Sequence, residues 1–363
     1  MGFETFLGNS QAVADVRGML AGDRVPGALL FAGPDGVGKK TLALMLARAL
    51  NCERRAPGGD NFCGECLRCR KAGEMLASTR EDLERRRAIK DATKRVDGLV
   101  YFDLQLIEPI TRYILTEQVR QLRNVAYTHP FEFPRRIFVI DQAQTIHWQA
   151  MDLLLKILEE PPETTILILI SSSSHELRST FRSRCRKIQF LPVEELVISR
   201  LLAESGGLNK AQQELGVRVA DGSIATAKAF NLAEYQRHRR PWLDFLEVVA
   251  TKPVRSMSPP DWKMLFDSTK ALTENRNEFD DTLKIGYTLL RDLLHVLFSG
   301  DGINIANVDL LPRLKGWAPK LGLERIEKLR AGLDTAFRLQ ARNVNQQLGL
   351  EALATGLFAG PRQ

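Results

Sequence analysis

The sequence has no run of about 18 uncharged apolar residues, the length that would cross a bilayer as a helix. Its opening, MGFETFLGNSQAVADVRG, carries acids where a secretory leader needs a basic and then an apolar stretch. Together these absences lead to the expectation of a cytoplasmic protein with no membrane partner. No internal repeat is visible, which argues against solenoids and propellers. The five histidines, at 129, 147, 175, 238 and 295, lack any spacing that suggests a metal centre or a nucleophilic relay, and read as surface or packing residues. Cysteine is scarce too: four of the five are crowded at 52, 63, 66 and 69, which in a reducing compartment favours metal over disulfides, and Cys185 alone reads as a buried thiol. The charge excess is small, 51 Lys+Arg against 44 Asp+Glu. It is compatible with work beside nucleic acid and decides nothing more.

What is present is enough apolar residue, 44% of 363, for a folded chain of two to three domains. From 28 to 191 short apolar runs alternate with helical stretches: ALLFAG at 28–33, YFDLQLIE at 101–108, RIFVIDQA at 136–143, TILILISS at 165–172 and KIQFL at 187–191, with helical spacing over 39–50, 116–127 and 147–159. Strands interleaved with helices predict an α/β unit with a parallel sheet covered on both faces. After Pro192 the strand signal ends and short helical segments follow. Basic and Pro-containing junctions, RHRRPW at 237–242 and KPVRSMSPP at 252–260, mark a further helical unit. The expected regions are therefore 1–192, 193–236 and 237–363. The stretch 78–98 is dense in charge, with Glu81/Arg85, Asp82/Arg86 and Asp91/Arg95 four residues apart, and reads as a solvated helix; a nucleic-acid contact is the alternative.

Gly33-Pro34-Asp35-Gly36-Val37-Gly38-Lys39 follows one predicted strand and opens a helix. In that context backbone N–H groups wrap phosphates, the helix N-terminus adds its dipole, and the lysine reaches the outer phosphates; a Gly-rich turn with no ligand is the alternative. The next residue should carry a hydroxyl for Mg²⁺, but it is Lys40, and Thr41 is rotated about 100° further round the helix. The apolar run Ile137–Ile140 ends in Asp141, which suits metal assistance, while Gln142 stands where a carboxylate base is wanted and an amide takes no proton near neutral pH. Binding of ATP or ADP is left open and its hydrolysis is not expected. Cys52, Cys63, Cys66 and Cys69 supply four thiols, three of them at two-residue gaps, the set for a closed tetrahedral structural Zn²⁺ with no catalytic water position; reduced free cysteines are the alternative.

The segment IDQAQTIHWQAMDLLLKILEEPPETT and the run Ser183-Arg184-Cys185 resemble bacterial clamp-loader AAA+ proteins, the latter matching their "SRC" motif. The FETFLGN opening, the four-cysteine insert and NVNQQLGLEAL at 343–353 resemble the delta-prime type in particular. The resemblance implies an AAA+ phosphate-loop domain with a zinc module at 52–69, a small helical lid and an all-helical collar for oligomerisation, matching the three regions above. It implies gamma/tau ATPase and delta subunits as partners, and through the complex the sliding clamp and primed DNA. It also implies a polar sensor among Ser171–Ser174, with Ser172 the first choice, an arginine finger at Arg184 directed at a neighbour's ATP, and a lid arginine whose place is taken by Ala225 in Gly222–Ala227. Differences at 40, 142 and 225 favour a non-hydrolysing delta-prime type over an active gamma/tau-type ATPase, which is the alternative. The basic turn 180–186 could also be only a surface turn.

Overall fold

The computed structural model describes residues 2–91, 93–252, 257–275, 278–299, 305–340 and 346–356. Part of the 252–260 junction and the start of the 343–353 ending lie outside these residues. The apolar runs become β1 Ala28–Ala32, β2 Leu104–Ile107, β3 Arg136–Ile140, β4 Thr165–Ser171 and β5 Arg186–Gln189, all paired in parallel in the order β2-β3-β4-β1-β5. The first four are buried along their whole length, which explains why they read as continuous apolar runs rather than as alternation. Parallel pairing puts every C-terminal strand end at one edge, the edge at which open α/β sheets bind ligands.

Helices α1 Ser10–Ala21, α2 Lys39–Asn51 and α3 Leu67–Ala88 pack with strands on one side. On the other, α4 Thr116–Ala126, α5 Trp148–Glu159 and the short α6 Ser179–Arg182 bury Val119, Leu122, Leu154, Ile157 and Phe181 against Leu30, Phe138 and Leu167. Each such side chain contributes about 1.5–3 kcal/mol on leaving water. The sheet edge is pinned by an ion pair: Asp103, just before β2, receives Arg136 at 3.0 Å, and its second oxygen accepts the N–H groups of Phe131, Glu132 and Phe133. Burial works against the Asp103 carboxylate, but those N–H groups and Arg136 outweigh it and hold its pKa below the ordinary value.

The charged stretch 78–98 is only partly the solvated helix expected. Asp82–Arg86 forms, but Arg85 also turns to Asp82, and Arg95 donates to Ile89 O. Arg86 is buried and ties the carbonyls of Arg95, Asp97 and Gly98, while Arg87 holds Pro109 O at 2.8 Å. These arginines staple the insert to its own fold.

The chain divides into two compact units, one running to Val197 and including Gly222–Ala225, the other formed by Ile198–Asp221 and the residues from Thr226 onward. In the second, α7 Glu195–Ser205 ends, α8 Lys210–Ala220 and α9 Ile224–Ala229 follow, and α10 Leu232–Thr251 runs unbroken through Pro241 across the expected 236/237 boundary. There α10, α11 Pro259–Leu272, α12 Phe279–Ser299, α13 Leu311–Gln340 and α14 Gln346–Gly356 share one core around Trp242, Phe245, Phe279, Leu289, Trp317 and Leu333. Asp292, fully buried in it, is satisfied by the N–H groups of Ala306 and Asn307. Among the described residues no helix is long and apolar enough to cross a membrane.

Candidate functional site

The chain leaves β1 into a tight loop because Gly33, Gly36 and Gly38 take φ of +152°, +76° and +100°. Gly36 is also needed for room: a Cβ there would sit 2.0 Å from Ser223 Oγ and 3.0 Å from the Ala225 methyl. Ala225 N donates to Gly36 O at 3.0 Å, so the 222–225 segment lies directly against the loop. The buried Lys39 turns its ammonium back onto Gly33 O and Pro34 O, each at 2.5 Å, with Asp35 at 3.4 Å. Burial lowers its pKa. The expected outward reach to phosphates is not the conformation here, because a buried ammonium must be hydrogen-bonded and these carbonyls are in range.

Lys40 lies on the next step of α2 and its Nζ bridges two carboxylates at the ends of neighbouring strands, Glu108 Oε1 after β2 at 2.6 Å and Asp141 Oδ2 after β3 at 2.8 Å. Burial opposes the Lys40 charge, but the bonds to Asp141 and Glu108 outweigh it and raise its pKa. Arg87 stands 3.6 Å from the other oxygen of Glu108. Thr41 is exposed, and Gln142, also exposed, follows Asp141 at φ +53°. Ser172, after β4, donates to Glu176 at 2.7 Å and accepts from Gln144 at 3.3 Å. The strand ends thus bring Lys40 and Asp141 together with Glu108 and set Ser172 beside Glu176, two acids that sequence reasoning missed. Glu108 had a signal: it is the last letter of YFDLQLIE, as Asp141 ends its own run.

A cavity of about 1040 Å³ lies between the N-terminal segment and the residues after β5, lined among others by Phe6, Asn9, Arg17, Leu191 and Glu194. Asn9 clamps Leu191 through its N–H at 2.7 Å and its carbonyl at 3.0 Å, and the Phe6 ring covers Gly38.

The four clustered cysteines meet. Their Sγ atoms all lie within 4.8 Å of one another, with Cys52 3.7 Å from Cys63 and 4.0 Å from Cys66. Four sulfurs about 2.3 Å from a central Zn²⁺ stand about 3.8 Å apart in a tetrahedron, so the set fits a metal ion. N–H groups of Cys63, Glu65, Cys66 and Cys69 point at the sulfurs of Cys52, Cys63 and Cys66 at 3.3–3.5 Å, which favours the thiolate at Cys63 and Cys66, while burial raises the pKa of Cys52 and Cys69. At Cys66 burial opposes the charge, but N–H groups of Cys69 and Glu53 and the neighbouring thiols bring its pKa down to about 6. Cys185 lies apart and buried, its thiol pushed up to about 12 by desolvation.

Arg184 follows α6 at the surface, 34% exposed, with its guanidinium 2.6 Å from Glu159 at the end of α5 and 3.0 Å from Thr180 O. The neighbouring Arg182 faces His175 at 3.3 Å.

A parallel sheet in this order, a glycine loop after β1 and an acid after β3 define a phosphate-loop domain of the AAA+ class, carrying a four-cysteine module and followed by helices. Residues 8–194, just over half of the chain, match the family described as DNA polymerase III, delta subunit, and the chain belongs to that family of clamp-loader AAA+ proteins. It is 28% identical over 222 residues to DNA polymerase III subunit tau of Bacillus subtilis, covering 61% of this chain and 34% of that protein. It is 29% identical over 182 residues to subunit delta' of the same organism, covering 50% and 47%. Of solved structures, the gamma subunit-related protein of Thermotoga maritima aligns over 96% of this chain and 98% of its own at 13% identity, with a TM-score of 0.46. The matched stretch spans about a third to a half of the length of these curated relatives.

Proposed function

We propose that this chain is a delta-prime-type subunit of a bacterial replicative clamp loader, acting in the cytoplasm. In this reading it does not hydrolyse ATP itself and lends Arg184 to the site of a neighbouring gamma/tau-type ATPase. The observation that carries the reading is the state of the acid after β3: Asp141 is already ion-paired to Lys40 at 2.8 Å, and the residue beside it, Gln142, is an amide. A phosphoryl-transfer site needs that acid for metal and a base or water-orienting group next to it. Ala225, seated on Gly36, adds no cation to the loop. Arg184 is exposed on the same unit, and a guanidinium at a subunit boundary can neutralise charge developing on a phosphoryl group held by the next subunit.

Under this proposal residues 193–236 serve as lid and 237–363 as collar, joined to gamma/tau and delta subunits, and the assembly places the sliding clamp on primed DNA. Cys52, Cys63, Cys66 and Cys69 would hold a structural Zn²⁺ that closes the 52–69 module and supplies no catalytic position. The second reading, an active gamma/tau-type ATPase, is favoured by relatives of that name at similar identity. Reconstitution with gamma/tau and delta partners separates the two. Stable incorporation without phosphate release from the isolated chain supports the first, and turnover by the isolated chain supports the second.

A further inference from the structure

The residues around the loop do not fit a magnesium-bound nucleotide. Glu108 and Asp141 end adjacent parallel strands, are mostly shielded from water and converge on one point. Two such carboxylates repel unless a cation lies between them. In this chain the cation is part of the sequence: Lys40 Nζ is 2.6 Å from one and 2.8 Å from the other, and Arg87 stands 3.6 Å from the far oxygen of Glu108. Two fixed positive groups therefore offset two negative ones. A divalent ion approaching this point meets no net negative charge and must first break both lysine bonds. A phosphate approaching the loop meets the N-terminus of α2, and Lys39 can turn to it by releasing Gly33 O and Pro34 O.

We propose that Lys40 is a resident cation that takes the place of the metal, so that the loop binds a nucleotide as its metal-free phosphate anion and Mg²⁺ neither aids nor joins the binding. The inference rests on the preceding reading only in taking a nucleotide as the loop's ligand, and it concerns the isolated chain, whereas that reading stands or falls on assembly and turnover.

The test is equilibrium binding of a fluorescent ADP analogue to the full-length chain, in EDTA and in Mg²⁺, alongside Mn²⁺ binding followed by electron paramagnetic resonance with ADP present. For the native chain the expected result is measurable affinity that differs by less than about twofold between EDTA and Mg²⁺, with no ordered Mn²⁺ site. Lys40→Thr, which supplies a hydroxyl and frees both carboxylates, is expected to gain one Mn²⁺ site per chain and an affinity at least about tenfold tighter in Mg²⁺ than in EDTA. Adding Asp141→Asn to Lys40→Thr should remove the gained Mn²⁺ site. A native affinity that rises tenfold with Mg²⁺ would overturn the proposal. So would a folded Lys40→Thr chain, checked by circular dichroism, with no Mn²⁺ site, or a native chain that binds no ADP analogue in either condition. If Lys40→Thr does not fold, the native comparison in EDTA and Mg²⁺ decides alone.

Discussion

Replacing Arg184 by Ala tests the proposed role most directly, because the structure separates what the residue does for this chain from what it would do for a neighbour. Within the chain its guanidinium meets Glu159 at 2.6 Å, but both groups are well exposed, 34% and 47%, and pairs of that kind contribute about 0–1 kcal/mol. Its other bonds, to Thr180 O and Ser183 Oγ, are surface bonds in one short turn. Folding and assembly should therefore survive Arg184→Ala with a stability change below about 1 kcal/mol, and releasing the side chain from Glu159 to face another subunit costs no more than that. An arginine finger is worth about 10³–10⁵ in rate at the site it completes. Removing it should silence one composite site while others turn over, so the DNA- and clamp-stimulated ATPase of the reconstituted complex falls by less than the single-site factor. Arg184→Lys should restore little, since a point charge lacks the planar fork. The assay is steady-state phosphate release with clamp-loading measured in parallel, after gel filtration shows intact complex. Native ATPase and native clamp loading in an assembled Arg184→Ala complex would refute the assignment and move attention to Arg182.

The four-cysteine module should carry one zinc per chain by metal analysis, lost in Cys63→Ser or Cys66→Ser with the sheet intact by circular dichroism; a reduced, freshly prepared sample without metal would end the assignment. The isolated chain should release phosphate from ATP no faster than a Lys39→Ala control, and turnover clearly above it would select the gamma/tau-type reading. Asp103→Asn should cost about 3–5 kcal/mol in urea unfolding, because it leaves Arg136, 5% exposed, without its anion. The pKa of Asp103 is depressed in the folded state, so its contribution is complete above the unfolded value near 4 and is lost as pH falls through the lower folded value. The native chain should therefore lose stability on acidification by a step that Asp103→Asn lacks, and parallel pH profiles would show that the ion pair is not the cause.

The sheet was legible because β1 to β4 are buried on both faces and so spell apolar runs such as TILILIS, and the loop because three glycines stand where left-handed backbone is required. The cysteine module was legible from spacing alone. Glu108 beside Asp141 was not, since that pairing needs the strand order, which brings together ends 33 residues apart in sequence. Nor was the seat of Ser223 and Ala225 on Gly36, a contact between distant segments that no local period encodes. In the charged insert the density of arginines does not tell a solvated one from a buried one. In α3 the buried positions are Cys69, Ala72, Leu76, Thr79, Leu83 and Arg86, steps of three and four that trace one stripe of the helix. Arg86 falls on that stripe, while Arg85 falls off it and is exposed. A guanidinium on a buried stripe has to find acceptors, and Arg86 finds three carbonyls and Asp82. The apolar stripe of a helix therefore sorts structural from solvated arginines inside a charge run, and by that criterion Arg86, not its exposed neighbour, is the one whose replacement by Ala should loosen the insert.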